Sequence, residues 1–155
     1  MRGGGLVEAR YVHTNIVARD WRALAAFYER VFGCRPVPPE RDYRGPLLDA
    51  CTCLSGAHFQ GVHLRLPGYG DTGPTLEIFQ YDEMAPGCPP AANRIGLAHI
   101  AFAVDDVQAA VECVRAEGGG ALGDVVTLDI AGGGRVTLVY AQDPEGNVIE
   151  LQAWE

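Results

Sequence analysis

The feature that most constrains this chain is an internal duplication. Setting His13 on His99 aligns two stretches for twenty residues without a gap. Asp20 then falls on Asp106, Ala23 on Ala109 and Gly33 on Gly119. Setting Glu77 on Glu150 also puts Gly73 on Gly146. The histidines lie 86 residues apart and the glutamates 73, so the first copy carries 13 extra residues. Helix starts, helix ends and polar positions match together, which an internal duplication explains better than chance.

Each copy reads as strand, helix, then three strands. Residues 11–17 are rich in β-branched side chains and read as a strand. Asp20 is placed to cap a helix over 21–32, with Leu24, Phe27, Tyr28 and Val31 as its apolar stripe and Gly33 at its end. Strands are expected at 47–54, 61–66 and 74–81. In the second copy, residues 97–104 repeat the opening strand. Asp106 caps a helix with Val107, Ala110, Val111 and Val114 buried, and Gly118, Gly119 and Gly120 stop it. Strands are expected at 124–129, 135–141 and 147–153. The predicted fold is α+β: a first βαβββ module over 8–81, a linker over 82–96 containing Pro86, Pro89 and Pro90, and a second module over 97–155. The lead-in MRGGGLVEAR lacks an apolar signal core.

Composition excludes several classes. Hydrophobic residues make up 48% of the 155, enough for a sizeable core, and no apolar run is long enough to span a bilayer. Net charge is −8 and there is no basic run, which argues against nucleic acid and anionic membranes as partners. Five cysteines, an odd count, fit a reducing, cytoplasmic setting. Cys51 and Cys53 are expected on one face of a strand as small core residues.

Two residues in each copy do not fit a plain core. His13 and His99 interrupt apolar opening strands, and Glu77 (TLEIF) and Glu150 (VIELQ) interrupt apolar closing strands. Burying a carboxylate costs several kcal/mol unless it is paired or bound to metal. Pseudo-twofold packing would bring the first and last strands of both modules to one centre. Two imidazoles and two carboxylates form a set suited to one divalent ion: Zn, Ni, Co, Mn or Fe(II). Tyr11 and Asn15 alternate with His13 and share its face. His63 and Arg65 share a face of GVHLRLP, where Arg65 is placed to grip a carboxylate or phosphate. Arg135, after three glycines, is a candidate for a loop over the site.

Four segments carry a resemblance: VHTNIVARDWRALAAFYERVFG, TLEIFQY, LAHIAFAVDDVQAAV and AQDPEGNVIELQ. Together they resemble the vicinal oxygen chelate superfamily, which includes glyoxalase I, methylmalonyl-CoA epimerase, extradiol dioxygenases and the bleomycin and fosfomycin resistance proteins. The likeness spans about residues 10–154, and the D-P-x-G-x-x-x-E-L pattern from Asp143 to Leu151 is its most specific piece. The resemblance implies a curved, barrel-like mixed sheet around a central metal cleft. It implies His13, Glu77, His99 and Glu150 as metal ligands, with Glu77 or Glu150 moving a substrate proton. Glyoxalase I likewise has two His and two Glu. Methylmalonyl-CoA epimerase has Gln where this chain has Glu77, and extradiol dioxygenases need only two His and one Glu.

Three functions follow from these expectations. The first is a metal-dependent isomerase, epimerase or lyase acting on a small carbonyl substrate. The second is an Fe(II)-dependent ring-cleavage dioxygenase or related oxidative enzyme. The third is a drug- or metabolite-binding resistance protein. The resemblance implies a homodimer, since superfamily members commonly pair, and eight curved strands leave edges and an open face that benefit from cover.

Overall fold

The computed structural model describes residues 7–155, so the first six residues of the lead-in lie outside the described residues. The first module runs β1 (His13–Val17), α1 (Trp21–Phe32), β2 (Arg35–Arg44), α2 (Pro46–Thr52), β3 (His58–Arg65) and β4 (Thr75–Tyr81). The second runs β5 (Ile100–Ala103), α3 (Val107–Ala116), β6 (Gly120–Ala121), β7 (Val126–Ile130), β8 (Gly134–Gln142) and β9 (Val148–Trp154). No regular element lies between Tyr81 and Ile100. No described helix is long and apolar enough to cross a membrane.

The two modules share one topology. In each, the opening strand pairs parallel with the closing strand, giving sheet orders β1-β4-β3-β2 and β5-β9-β8-β6, with β7 also on β8. The strands form two mixed sheets and do not close into a barrel. A parallel pairing needs a crossover, and α1 and α3 supply it. Asp20 accepts from the Ala23 amide at 3.0 Å, and Asp106 from the Ala109 amide at 2.9 Å, so the two helices start by the same device. Gly33 ends α1 at φ 68°, a left-handed conformation that glycine adopts without strain.

Both helices feed one core. Leu24, Phe27 and Tyr28 of α1 pack with Leu64, Leu76 and Ile78 of the first sheet, and Val111 and Val114 of α3 with Val139, Ile149 and Leu151 of the second. Burying each large apolar side chain contributes roughly 1.5–3 kcal/mol. The modules are tied across this core. Phe32 stacks on Phe102 at 4.0 Å, and the buried Tyr28 hydroxyl donates to Asp143 Oδ2 at 2.9 Å. Asp143 also accepts from the amides of Glu145 and Asn147 and from Asn147 Nδ2. The Glu145 carboxylate accepts from the Arg19 and Asp20 amides, beside the start of α1.

The sequence expectation fails in places. The strand expected at 47–54 is α2, begun by Pro46 at a position where a helix needs no amide donor. The strand before it, RPVPPERDYR, carries three prolines and was not expected. Proline is tolerated there because β2 is an edge strand and its pairing slips between Val37 and Arg41. Cys51 and Cys53 are therefore not core residues on a strand. Both are exposed, one in α2 and one at its left-handed end, and Cys34 is the buried cysteine. His99 stands one residue before β5 rather than within it.

Candidate metal centre

Strand alternation sorts the side chains of the first sheet. Leu64, Leu76 and Ile78 point to the helix side, so His63, Glu77 and Phe79 point to the other. Register then fixes the neighbours: Glu77 lies between Asn15 on β1 and His63 on β3. His13 is two residues before Asn15 and shares its face.

The outcome is a carboxylate held between two imidazoles. His63 Nε2 lies 2.7 Å from Glu77 Oε1, and His13 Nε2 lies 3.1 Å from Oε2. Asn15 Nδ2 donates to Oε2 at 3.3 Å. The His13 and His63 rings meet edge to face at 5.8 Å between centroids, so they approach the carboxylate from different directions. Glu77 is 8% exposed. One ligand atom from each of His13, His63 and Glu77 lies within 4.8 Å of the others. Ligands at 2.0–2.2 Å from one ion stand roughly 2.8–3.6 Å apart, according to whether the geometry is octahedral or tetrahedral, so a set this close can fit a divalent ion.

The electrostatics favour ligation. Burial pushes the His63 imidazole below its ordinary 6.5; Glu77 opposes this, and Arg41, His13 and Arg65 add to it. A neutral imidazole keeps the lone pair a metal needs.

The second module repeats half of this arrangement. His99 Nε2 lies 3.2 Å from Glu150 Oε2, and the His99 ring lies 5.1 Å from that of Tyr140. The expected ligands therefore come together as two pairs, His13 with Glu77 and His99 with Glu150. Among the described residues, only His13, Glu77 and the unexpected His63 form a group of three close ligand atoms. Asn15 and His99 line one cleft of about 210 Å³ between β1 and β5, with Thr14, Ile100 and Val148.

The remaining candidates divide. His63, Arg65 and Tyr11 line a second cavity of about 360 Å³. Asn15 touches the carboxylate itself. Arg135 stands on β8, in the β7–β8 hairpin, with its charge engaged by Asp129 at 3.2 Å and by Glu155. His63, expected with Arg65 on a substrate-facing side of its strand, is the third member of the group that could hold a metal. The duplication pointed to residues present in both copies, and His63 has no histidine counterpart.

Two mixed sheets of one topology, each opening on a histidine and closing on a glutamate that meet, define a tandem-module fold with candidate metal-ligating pairs. The chain belongs to the Glyoxalase/Bleomycin resistance protein/Dioxygenase superfamily, whose pattern matches residues 10–151. Its fold is that of a glyoxalase family protein from Bacillus cereus, at TM-score 0.79 and 19% identity, covering 99% of this chain and 98% of that one. A glyoxalase family protein from Enterococcus faecalis aligns at TM-score 0.57 and 23% identity, over 94% and 96%. A glyoxylase/bleomycin resistance protein/dioxygenase domain from Frankia sp. EAN1pec gives 0.55 and 15%, over 97% and 94%. No curated protein matches the chain.

Proposed function

We propose that the chain is a divalent-metal-dependent enzyme of isomerase, epimerase or lyase type, acting on a small carbonyl compound. The observation that carries this reading is Glu77, a nearly buried carboxylate between two imidazoles. In it, His13, His63 and Glu77 hold the ion. When bound, a divalent ion supplies Lewis acidity for negative charge developing on a substrate carbonyl oxygen.

The sequence left Glu77 and Glu150 equivalent as proton carriers; we take Glu150 as the carrier, on the contacts each makes. Both oxygens of Glu77 are engaged, by His63 and by His13 with Asn15. Glu150 has one oxygen on His99, leaving Oε1 for chemistry. Glu150 Oε1 takes the substrate α-proton as the C–H bond breaks, the electron pair stays on the substrate, and the same oxygen returns the proton to the other face or the next carbon. His99 holds the carboxylate in position.

The test loads purified protein with Zn, Ni or Mn and follows α-proton exchange of a panel of α-hydroxy and α-keto carbonyl compounds in D2O by NMR. Glu150→Gln should keep the metal and lower exchange by about 10²–10⁴-fold. Ligand affinity that ignores metal would mark a binding protein instead. Loss of metal from His99→Ala equal to that from His13→Ala would restore a four-ligand centre of His13, Glu77, His99 and Glu150.

One observation favours a second reading. Two histidines and one carboxylate are the ligand set of many non-haem Fe(II) oxygenases. Oxygen uptake by iron-loaded protein, absent with Zn, would establish it. A homodimer belongs to either reading. Its support is that β1 and β5 end their sheets with Val17 and the flanking Tyr11, Val12 and Leu97 exposed. Light scattering showing a monomer at micromolar concentration would remove it.

A further inference from the structure

The twelve basic side chains are all arginine, in a chain of net charge −8. Eleven are described, and seven of these hold a carboxylate within 4.0 Å. Among the described residues, Arg10, Arg41, Arg65 and Arg94 have none. Three of these four line the same cavity of about 360 Å³, which also contains His63 and has no carboxylate in its wall. In an acidic protein where seven of the eleven described arginines are paired, this is a concentrated positive field with no carboxylate in the cavity wall.

The first sheet builds this cavity. Arg65 is two residues from His63 on β3, beside Thr75 on β4. Arg41 lies opposite Gly61, two residues from His63 on the other side, where β2 resumes pairing after its bulge. Each guanidinium is anchored by one backbone carbonyl, Arg65 by Gly73 and Arg41 by Pro39. That leaves further N–H groups of each fork without a protein acceptor. An anchored guanidinium loses less freedom on binding and presents paired donors matched to a carboxylate or phosphate.

We propose that Arg41 and Arg65, with Arg10 at the rim, form a binding site for the carboxylate or phosphate group of a small organic anion. The anion site stands on its own geometry. Its role in directing the substrate's other end toward Glu77, through the shared wall at His63, rests on the metal-centre reading above.

The test uses full-length protein stripped of metal with EDTA and dialysed, so that binding cannot run through an ion. Inorganic phosphate and malonate are titrated separately, followed by calorimetry and by the arginine Nε–H signals in NMR. Saturable binding of at least one probe, shifting the Arg41 and Arg65 signals, is expected. Arg41→Ala and Arg65→Ala should each weaken it at least tenfold, and Arg94→Ala, an equal loss of charge elsewhere, less than twofold. Arg65→Gln keeps a donor for the Gly73 carbonyl and guards against misfolding; it should weaken binding like Arg65→Ala. Tighter phosphate assigns a phosphorylated substrate, and tighter malonate a carboxylate. Non-saturable shifts, or equal weakening by Arg94→Ala, overturn the site. Anion binding by a protein that takes up no divalent metal would defeat the metal centre and leave this site standing; metal uptake without anion binding would do the reverse.

Discussion

The two modules share topology, helix caps and a His–Glu pair, yet differ around that pair. The register that sets His63 beside Glu77 sets Tyr140 beside Glu150. The register that sets Asn15 beside Glu77 sets Ala101 beside Glu150. Arg65 beside Thr75 becomes Gln142 beside Val148. The first module thus gathers imidazoles, an amide and a guanidinium around its glutamate, while the second offers a phenol, a methyl group and an amide. Duplication supplies two equivalent frames, and a few side chains at matched positions give them different chemistry.

The largest expected contrast is in metal affinity. Glu77→Ala should weaken Zn or Ni binding by on the order of 10³-fold, since it removes the carboxylate both imidazoles face, and Glu150→Ala by less than about tenfold. Calorimetry decides it, and equal losses would mean the modules contribute alike.

His63→Ala should weaken metal binding by on the order of 100-fold, at or above the loss seen when a group that only orients a ligand is removed, while Tyr140→Phe leaves it unchanged. If His63→Ala is silent, the asymmetry has no bearing on the metal.

A smaller effect concerns the join between modules. Tyr28→Phe removes one of four donors to the buried Asp143 carboxyl. A loss of about 1–2 kcal/mol is expected, lowering Tm by roughly 2–8 °C. Calorimetry should still show one transition. Two separated transitions would mean that the modules fold independently.

The smallest effect is in titration within the first module. His58 lies between Asp82 and Asp42, each at 2.8 Å, and these carboxylates raise it above 6.5, while burial lowers His63. His58 stabilises the fold fully below about pH 6.5 and loses that contribution as pH rises through its raised value. His63 acts oppositely, with stability lost as pH falls from about 6.5 through its lowered value. In metal-free protein, NMR titration should place the two midpoints on opposite sides of 6.5; a shared midpoint would contradict both.

What the sequence revealed, and what it hid, follows from the same asymmetry. Asp20, Asp106 and Gly33 act locally, so caps and helices could be read from a few neighbouring residues. His13, Glu77, His99 and Glu150 stood out as polar residues in apolar strands, present twice. His63 depended on long-range strand register, and no counterpart marked it. β2 was hidden because its prolines forbid a central strand while allowing an edge, and edge position is a tertiary property. The stretch 47–54 failed for the converse reason: its apolar run is short, and Pro46 opens a helix that strand periodicity does not anticipate.

The turn from Asp143 to Gly146 opens the most specific pattern of the sequence, and its contacts are those of a clasp. Asp143 grips Tyr28 of the other module, and Glu145 holds the amides at the start of α1. None of the candidate ligands takes part. Ancestry and competence can therefore be inherited separately in chains built this way. A descendant could shed His63 or Glu77, become a passive container, and still bear the family hallmark intact, whereas one that lost Asp143 would put the joint itself at risk whatever chemistry it retained.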